Sequence, residues 1–299
     1  MISFKINGRL GNQLFQLAAA YSLSLKIGKK KKILPDERSG VFTVTEYFDT
    51  PIQYPLSWQL LHSLIQKLPK KLKPRLSKHL LSSYYEFIGH KIYSPKHPMQ
   101  IDHEFFNVPD NTCLDGYFQS EYYFQSVANE IKHTFKVKEK FHQEWKKLYK
   151  TWPNHTKLVA VHIRLGDYKS QAGWNMGAED MTLPKSYYQE LISQYSNEEN
   201  LVVILSDEPK VVQSWFKPST RLLISEESLI VDFITLTKAH VCILSHSSFS
   251  WWGAWLNTNP NPSIYVPEFF LGFRKGITVP ENIIPDQWIK IKIQHESAN

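Results

Sequence analysis

Residues 159–170 read VAVHIRLGDYKS, and this stretch points both to the fold class and to the site. Small and apolar residues lead into His162 and Arg164, then Gly166 introduces a turn and Asp167 follows. Side chains two positions apart in a strand point to the same face, so we expect His162 and Arg164 on one side of a buried strand. In open α/β sheets, ligands bind outside the carboxyl ends of such strands.

Three short apolar runs set the pattern of the second half: Leu158–Ile163, Leu201–Leu205 and Val241–Leu244. Each has the length of a strand, and helix-like segments lie between them. This alternation predicts a parallel sheet covered by helices. The chain also opens with an alternating run from Ile2, a glycine loop and a helical apolar face that ends at Gly28. We therefore predict an α/β fold.

The length of the chain predicts two domains. At 299 residues, with 42% hydrophobic residues, it exceeds one average domain and can bury two cores. The segment TWPNHTK after residue 150 has the composition of a linker. We place the boundary there, with one domain at residues 1–152 and a second at residues 153–299.

Cysteine usage and hydropathy predict a cytoplasmic protein. The two cysteines, Cys113 and Cys242, do not make a disulfide framework and suit a reducing compartment. The first residues lack the basic start and long apolar run of a secretory leader. No stretch approaches the roughly 18 apolar residues of a membrane-spanning helix.

The net charge of +7 is concentrated in two basic segments, Lys29–Lys32 and Lys67–His79. One interpretation is a solvated surface. The other is peripheral contact with the anionic inner face of a membrane, where each basic residue adds roughly 1 kcal/mol. A nucleic-acid partner is not expected, because the sequence has neither zinc-finger spacing nor an RNA-binding aromatic signature.

Polar and small residues follow each predicted strand, as NGRLGNQ, HIRLGDY, SDEP and SHSSFS. The carboxyl ends of parallel strands share one edge of a sheet, so these loops predict a ligand cleft. Arg164 has a planar fork of donors that matches phosphate oxygens. The last loop precedes a predicted helix and offers hydroxyls and backbone amides to an anion. Its candidate ligand-binding residues are Ser247, Ser248 and Ser250.

Two further loops complete a nucleotide diphosphate site. Gly11 lets the backbone of the first loop approach a ligand, and Arg9 and Asn12 add donors. Asp207 can accept hydrogen bonds from a base or a ribose, and His162 completes the set. Each residue also has a structural interpretation. Arg164 could pair only with Asp167, the serines could cap a helix, His162 could be a core residue and Asp207 a turn residue. The tryptophans of WWGAWL are assigned to the core.

Several kinds of site are excluded by missing motifs. The first loop lacks the length and the Lys-Ser/Thr ending of a P-loop, and no G-x-G-x-x-G follows a strand. No D-x-D pair, zinc spacing or G-x-S-x-G elbow is present. We therefore expect no metal and no cofactor, and arginines and amides would neutralise the diphosphate.

The same segments resemble the α-1,2-fucosyltransferases, glycosyltransferase family 11. HIRLGDY is similar to the family's H-x-R-x-G-D-Y, and GRLGNQLFQ to its opening G-G-L-G-N-Q-x-F-Q. GYFQSE resembles its GYWQSE segment, SDEP its SDD/E, and SSFSWWGAWLN its most distinctive motif. The five motifs occur in family order and span almost the whole chain.

The resemblance implies a GT-B fold of two facing Rossmann-like domains. It also implies inverting, metal-independent transfer of L-fucose from GDP-fucose to a galactose 2-hydroxyl of a growing surface glycan, either an oligosaccharide or a lipid-linked glycan. The C-terminal half would hold the donor and the N-terminal half the acceptor. Arg164 would contact the diphosphate, and Gly8, Arg9, Gly11 and Asn12 would approach the donor.

Three departures from the family pattern stand out. Arg9 replaces a glycine, His246 stands where asparagine is usual, and the segment after Tyr168 lacks the usual HG pair. Asp167 is the first candidate for the base that accepts the acceptor proton, although it could instead orient Arg164. The other candidate bases are Glu179, Asp180, Asp115 and Glu121.

Three other interpretations stay open. The same fold could use a different nucleotide-sugar donor, or the chain could bind a nucleotide sugar without transferring it. A third interpretation is a basic module that binds a membrane surface or a nucleic acid. The joint presence of His162, Arg164, Asp207 and the SHSSFS loop favours an enzyme.

Overall fold

The computed structural model describes residues 1–28, 33–88 and 91–293. The predicted basic segment Lys29–Lys32 therefore lies outside the described residues. The chain divides into two compact units, Met1–Lys136 and Val137–Asn299.

The first unit is built on a four-stranded sheet in the order β2-β1-β5-β4, with every neighbouring pair parallel. Helix α1 packs on β1 and is buried along most of its length, which its small residues Ala18, Ala19 and Ala20 allow. The elements of this unit are β1 (Ile2–Lys5), α1 (Leu10–Lys26), β2 (Ile33–Asp36), α2 (Val44–Tyr47), β3 (Phe48–Asp49), α3 (Leu56–Gln66), α4 (Lys73–Phe87), β4 (Lys91–Tyr93), β5 (Thr112–Leu114) and α5 (Ala128–Thr134), and the short strand β6 (Lys136–Val137) lies at the division.

The second unit is built on a six-stranded sheet in the order β12-β11-β10-β7-β8-β9, again with every neighbouring pair parallel. Chain order runs outward from β7 in both directions, which is the order of a Rossmann sheet. Its elements are α6 (Glu139–Tyr149), β7 (Lys157–Ile163), α7 (Lys185–Ser193), β8 (Asn200–Ser206), α8 (Pro209–Trp215), β9 (Leu222–Ile224), α9 (Leu229–Lys238), β10 (Val241–Ile243), α10 (Ser248–Trp255), β11 (Ser263–Pro267) and β12 (Ile289–Ile291).

Strand β7 lies in the middle of the second sheet and is buried on both faces from Leu158 to Ile163. Val159, Val161 and Ile163 pack into a core that includes Tyr188 of α7. A strand covered on both faces explains why its sequence is a continuous apolar run and does not alternate. The structure confirms the predicted α/β class and the two Rossmann-like halves.

The division between the units falls before α6, whereas the predicted boundary lies between residues 152 and 153. The reason is packing: α6 lies against α9 of the second unit. Trp145 of α6 is buried, and its Nε1 donates a hydrogen bond to Thr235 Oγ1 at 3.0 Å. The periodicity of α6 predicts the helix but does not identify the unit against which its apolar face packs.

Candidate active site

The predicted strand-end residues of the second unit meet at one edge of its sheet. His162 is the second-last residue of β7, and Arg164 follows that strand. Asp207 follows β8, and the serine loop, residues 245–250, follows β10. Strands β8 and β10 are the two neighbours of β7. Chain order reverses at this point of the sheet, and the crevice at such a reversal is where ligands of open α/β sheets bind.

Arg164 is held between two carboxylates. Its Nη1 lies 3.0 Å from Asp207 Oδ2, and its Nη2 contacts Asp167 Oδ1. The side chain is 14% exposed and also lies over the ring of Tyr168. These contacts fix the plane of the guanidinium and leave further N–H donors for a ligand.

Asp207 is an anchor for the turn as well as a partner of Arg164. Its Oδ1 accepts a hydrogen bond from the Leu165 amide at 3.0 Å. A Cβ on Gly166 would meet Asp207 Oδ2 at 2.3 Å, so this contact requires glycine at position 166. Since both carboxylate oxygens have partners within the protein, the geometry favours a positioning role for Asp207 over contact with a base or ribose.

His162 is a buried, neutral imidazole. Its Nδ1 shares a hydrogen bond with Ser245 Oγ at 2.8 Å, and its ring lies 5.4 Å from that of Phe249. Burial, and next the positive charge of Arg164, lower the pKa of His162 to about 3. At neutral pH His162 can therefore take part in hydrogen bonding but is a poor proton acceptor.

The serine loop divides into inward and outward groups. Ser247 caps α10, its hydroxyl accepting from the Phe249 amide at 3.3 Å. Ser250 is fully buried and donates to the carbonyls of Ser245 and Ser247. Ser248 is only partly buried and begins α10. Of the three predicted serines, Ser248 is the one whose hydroxyl is best placed to reach a ligand at the helix N-terminus.

The glycine loop, residues 7–12, belongs to the first unit. Gly8 has a φ of +74°, and a Cβ there would meet Asn12 Nδ2 at 2.2 Å, so glycine is required on both counts. Asn12 Oδ1 accepts from Gln119 Nε2 at 2.8 Å. Gly11 is buried in the first turn of α1, and Arg9 is exposed at its N-cap.

Two buried glutamines that the sequence interpretation did not single out support the glycine loop. Gln13 Nε2 donates to the Gly8 and Val41 carbonyls, and Gln16 Nε2 donates to the Asn7 and Gly116 carbonyls. Both side chains are at most 2% exposed. The motif G-R-L-G-N-Q-L-F-Q therefore holds its own loop through these two amides.

Two of the departures from the family pattern contact each other. His246 Nε2 donates to the Met181 carbonyl at 2.6 Å, and Met181 lies in the segment that lacks the HG pair. The His246 ring packs between the rings of Tyr168 and Phe273. Burial lowers the pKa of His246 to about 4, so it is neutral. The unusual histidine thus ties the serine loop to the unusual segment.

Two of the other candidate bases, Asp180 and Asp115, already have partners at their carboxylates. Asp180 Oδ1 accepts from the amide and the hydroxyl of Thr182, and Asp115 pairs with Lys5 in the first unit. Glu179 accepts from the Gln171 amide through its backbone carbonyl, and Glu121 begins a short 3₁₀ turn. Asp167 remains the candidate nearest to Arg164, and its contact there is the one expected of a residue that orients the arginine.

Asp232, in the first turn of α9, was missed by the sequence interpretation. Its Oδ1 accepts from Ser225 Oγ at 2.6 Å, just after β9. The next residue, Phe233, lies 5.4 Å from Phe249 of the serine loop, so the start of α9 adjoins the start of α10. Burial raises the pKa of Asp232 to about 7. A single acid inside the apolar run LIVDFITL was the available signal.

A cavity of about 710 Å³ runs along edge strand β9 and is lined by Trp152, Leu223 and Glu226 among others. None of the predicted site residues within the described ranges lines it. In residues 1–28, 33–88 and 91–293, no three His, Cys, Asp or Glu side chains are grouped as a metal site requires. Among the same residues no helix combines the length and apolar character needed to span a membrane.

Comparison with known proteins identifies relatives over the whole length. The model of "Glycosyl transferase family 11" matches residues 1–292. The O-antigen biosynthesis glycosyltransferase WbnK of Escherichia coli is 25% identical over 311 residues, covering 96% of this chain and 99% of that protein.

Among solved structures, the α-1,6-fucosyltransferase NodZ co-crystallised with GDP is 13% identical, with a TM-score of 0.47 over 88% of this chain and 93% of that one. A variant of Arabidopsis thaliana FUT1 in complex with GDP is 12% identical, with a TM-score of 0.49 over 89% of this chain and 69% of that one.

Proposed function

We propose, because this chain belongs to glycosyl transferase family 11, that it transfers L-fucose from GDP-fucose to the 2-hydroxyl of a galactose and forms an α-1,2 linkage. The observation that carries the proposal is the meeting of Arg164, His162 and the start of α10 where the order of the second sheet reverses. A nucleotide diphosphate is the ligand class that this position and these donors favour. The second unit is then the donor-binding domain, and the first is the acceptor-side domain.

The transfer is a single in-line displacement. The acceptor oxygen bonds to the anomeric carbon of fucose as the bond from that carbon to the diphosphate oxygen breaks. The electron pair leaves with GDP, and the acceptor proton passes to a base. Because the nucleophile enters opposite the leaving group, a β-linked donor gives an α-linked product. Positive charge develops on the sugar ring and negative charge on the diphosphate.

Arg164 and the amides at the start of α10 stabilise the departing diphosphate. The guanidinium is already oriented by Asp207 and Asp167, so little reorganisation is needed when charge develops. Ser248 contributes a hydroxyl at the same helix terminus. We also assign Arg9, Gly11 and Asn12 of the glycine loop to donor binding, as the family resemblance implies.

Asp232 recognises the guanine. A carboxylate can accept from both N1–H and the exocyclic amino group of guanine, an arrangement that uracil and cytosine do not offer. Asp232 is partly exposed, has one hydrogen bond from Ser225 and adjoins the serine loop through Phe233 and Phe249. This assignment replaces Asp207, whose oxygens are used within the protein.

Asp167 orients Arg164, as its contact with the guanidinium indicates. If it also removes the acceptor proton, Asp167→Asn lowers kcat by roughly a hundredfold or more, within the range of general-base catalysis, while the donor Kd barely changes. A fall in donor affinity together with kcat would assign Asp167 to positioning alone.

The acceptor is a galactose-containing oligosaccharide or a lipid-linked glycan of a surface polysaccharide. The E. coli relative acts, by its name, in O-antigen biosynthesis, and we extend that class of acceptor to this chain. The enzyme works in the cytoplasm. Its two cysteines, Cys113 and Cys242, are buried and unpaired, as a reducing compartment favours.

The experiment is a donor panel followed by product analysis. GDP-, UDP- and CMP-sugars are compared by calorimetry and by transfer to a galactoside, and the linkage of the product is read by NMR. We expect GDP-fucose to bind most tightly and to give an α-1,2 product. Preference for a UDP-sugar would contradict GDP-fucose as the donor. A different linkage would contradict the galactose 2-hydroxyl as the acceptor position, and binding without transfer would contradict the assignment as an enzyme.

The transfer requires no metal or other cofactor. Arg164 and the helix-end amides can neutralise the diphosphate, so activity should survive EDTA. Activity that disappears in EDTA and returns with Mn²⁺ would contradict this part of the proposal.

A further inference from the structure

Helix α3 exposes a row of leucines opposite its buried face. Leu56, Leu60 and Leu64 are 71%, 60% and 60% exposed, whereas Trp58 and Ile65 are buried. Residues four apart are offset by only about 40° around a helix, so the three leucines form one stripe. Leu56 and Leu60 are each two positions from Trp58, about 160° around the helix from it. The fold of the first unit therefore leaves this stripe without a partner among the described residues.

Basic residues follow the leucine stripe directly, with no acid among them. The sequence from residue 50 to residue 85 contains no Asp or Glu. Leu72 and Leu76 are also exposed, in the turn before α4 and in its first turns. The basic residues of this stretch are Lys67, Lys70, Lys71, Lys73, Arg75 and Lys78, all exposed except the partly buried Lys73.

We propose that this leucine–lysine surface, formed by Leu56, Leu60 and Leu64 of α3 with Lys67–Lys78, binds the surface of an anionic phospholipid bilayer. Apolar side chains on one face of a helix and a cluster of cations beside them are the composition of helices that lie in the membrane interface. The leucines enter the boundary between headgroups and acyl chains, and the cations pair with lipid phosphates. The proposal goes beyond the transfer reaction and does not depend on it.

The charge distinguishes a bilayer from a second copy of this chain. In a symmetric dimer the same patch meets itself, so the basic residues of one copy would face those of the other. Such like-charge contact opposes association, whereas an anionic lipid surface is complementary to it. A membrane-bound acceptor would be brought to the enzyme by the same contact.

Vesicle sedimentation of the full-length protein tests the surface. We expect binding to vesicles of phosphatidylcholine mixed with phosphatidylglycerol and much weaker binding to phosphatidylcholine alone. Leu60→Ser with Leu64→Ser should lower the partition coefficient about tenfold. The matched control is Ile277→Ser with Ile289→Ser, which changes two exposed apolar residues of the second unit, 56% and 42% exposed, and should leave binding unchanged.

A second pair of variants tests the electrostatic contribution to vesicle binding. Lys70→Gln with Lys71→Gln should reduce binding about tenfold at low salt and less at high salt. Lys146→Gln with Lys147→Gln, on exposed positions of α6, is the control and should bind as the unmodified protein does. Transfer to a short soluble acceptor should be the same in all four variants, which separates membrane binding from catalysis.

A tryptophan placed on the leucine–lysine surface tests membrane insertion independently. The emission of a Leu60→Trp variant should be quenched by brominated acyl chains in anionic vesicles. The proposal is overturned if test and control variants bind equally, if no vesicle binding is seen, or if Leu60→Ser with Leu64→Ser instead abolishes a dimer detected by sedimentation velocity.

Discussion

At the scale of the residue, Arg164 is the group on which the proposed chemistry depends most. Its two Nη atoms reach different carboxylates, Asp207 and Asp167, and a lysine cannot bridge both. We therefore expect Arg164→Lys to lower kcat about a hundredfold, roughly 3 kcal/mol of barrier, in a folded protein. The measurement is steady-state kinetics with circular dichroism as the check of folding.

Arg221 provides the matched control for this substitution. It immediately precedes β9, at the opposite edge of the same sheet, and contacts the Asn154 carbonyl and Glu198. Arg221→Lys should leave kcat within about twofold of the unmodified enzyme, as most surface changes do. Near-normal turnover of Arg164→Lys would count against a role at the diphosphate.

The raised pKa of Asp232 predicts that donor affinity depends on pH. Its pKa, raised to about 7 by burial, means that it is largely protonated at pH 6 and ionised at pH 8. Guanine donates to the ionised form, so the affinity should weaken as the pH falls below 7, with the Kd for GDP-fucose rising up to about tenfold per pH unit. GDP-fucose is the suitable ligand, because its diphosphate has no terminal phosphate that titrates in this range.

Calorimetry from pH 6 to pH 8 measures this dependence. Asp232→Asn should bind more weakly, with no slope across the range, because an amide has no proton to lose. A flat profile in the unmodified protein, or an unchanged slope in Asp232→Asn, would remove Asp232 from the guanine site.

How far the sequence could predict the site is clearest from individual side chains. Alternation along one strand placed His162 and Arg164 together, because that spacing is fixed by backbone geometry. The contact of Asp207 with Arg164 and Leu165 was not predictable, because it depends on which strands are neighbours. Asp232 escaped notice because it lies in helix α9, and its partner Ser225 follows strand β9, which is only three residues long and gives almost no periodic signal.

At the scale of the element, the segment after Tyr168, which departs from the family pattern, is held by hydrogen bonds to Tyr168 and His246. Met181 donates its amide to the Tyr168 carbonyl and accepts from His246, and its side chain is fully buried. Glu179 likewise accepts from the Gln171 amide. The segment therefore folds back on the end of β7, next to the proposed diphosphate site.

His246→Asn restores the residue usual in the family and tests this segment. Asparagine is too short to reach the Met181 carbonyl, and losing one buried hydrogen bond costs about 1 kcal/mol. If the segment contacts the acceptor, the acceptor KM should rise about fivefold while donor Kd stays within twofold. Unchanged acceptor KM would mean that the segment does not contact the acceptor. His240→Asn, at the other end of β10 and bonded to the Leu158 amide, is the control.

The elements themselves were predicted well where the apolar pattern is continuous or alternates clearly, and poorly where it does not. The helix that begins the chain and the strands β7 and β8 were predictable because each presents a continuous apolar signal. The sequence did not indicate β2, β9, β11 or β12 as strands. Each of these is at most five residues long, and its place in the sheet depends on pairing with other strands.

At the scale of the whole molecule, the buried His162 and His246 and the partly exposed Asp232 contribute to the pH dependence of stability. His162 and His246 have folded pKa values of about 3 and 4, below the ordinary 6.5, so acidification below 6.5 protonates the unfolded chain first and destabilises the fold. Asp232 has a folded pKa of about 7, so the folded state binds its proton first, and acidification from pH 7 to pH 4 stabilises the fold through this group. Each contributes roughly 1 kcal/mol per pH unit.

We therefore expect the free energy of unfolding to fall by roughly 1 kcal/mol per pH unit below pH 6.5, because the stabilising contribution of Asp232 cancels that of one of the two histidines. In Asp232→Asn the opposing contribution is gone, so the fall should be about twice as steep. Urea denaturation at pH 7, 6 and 5 measures both slopes. A profile equally steep in the two proteins would show that Asp232 has an ordinary pKa.

Helix α10 also gives the molecule an optical property. Trp251, Trp252 and Trp255 are buried within two turns of Ser248, Trp251 and Trp255 are stacked, and Trp251 Nε1 donates to the Ile283 carbonyl at 2.6 Å. Indoles in such surroundings emit at short wavelength and respond to small displacements of their neighbours. A ligand that draws the start of α10 towards its phosphates should change this emission, so the protein carries its own fluorophore for following donor association in real time.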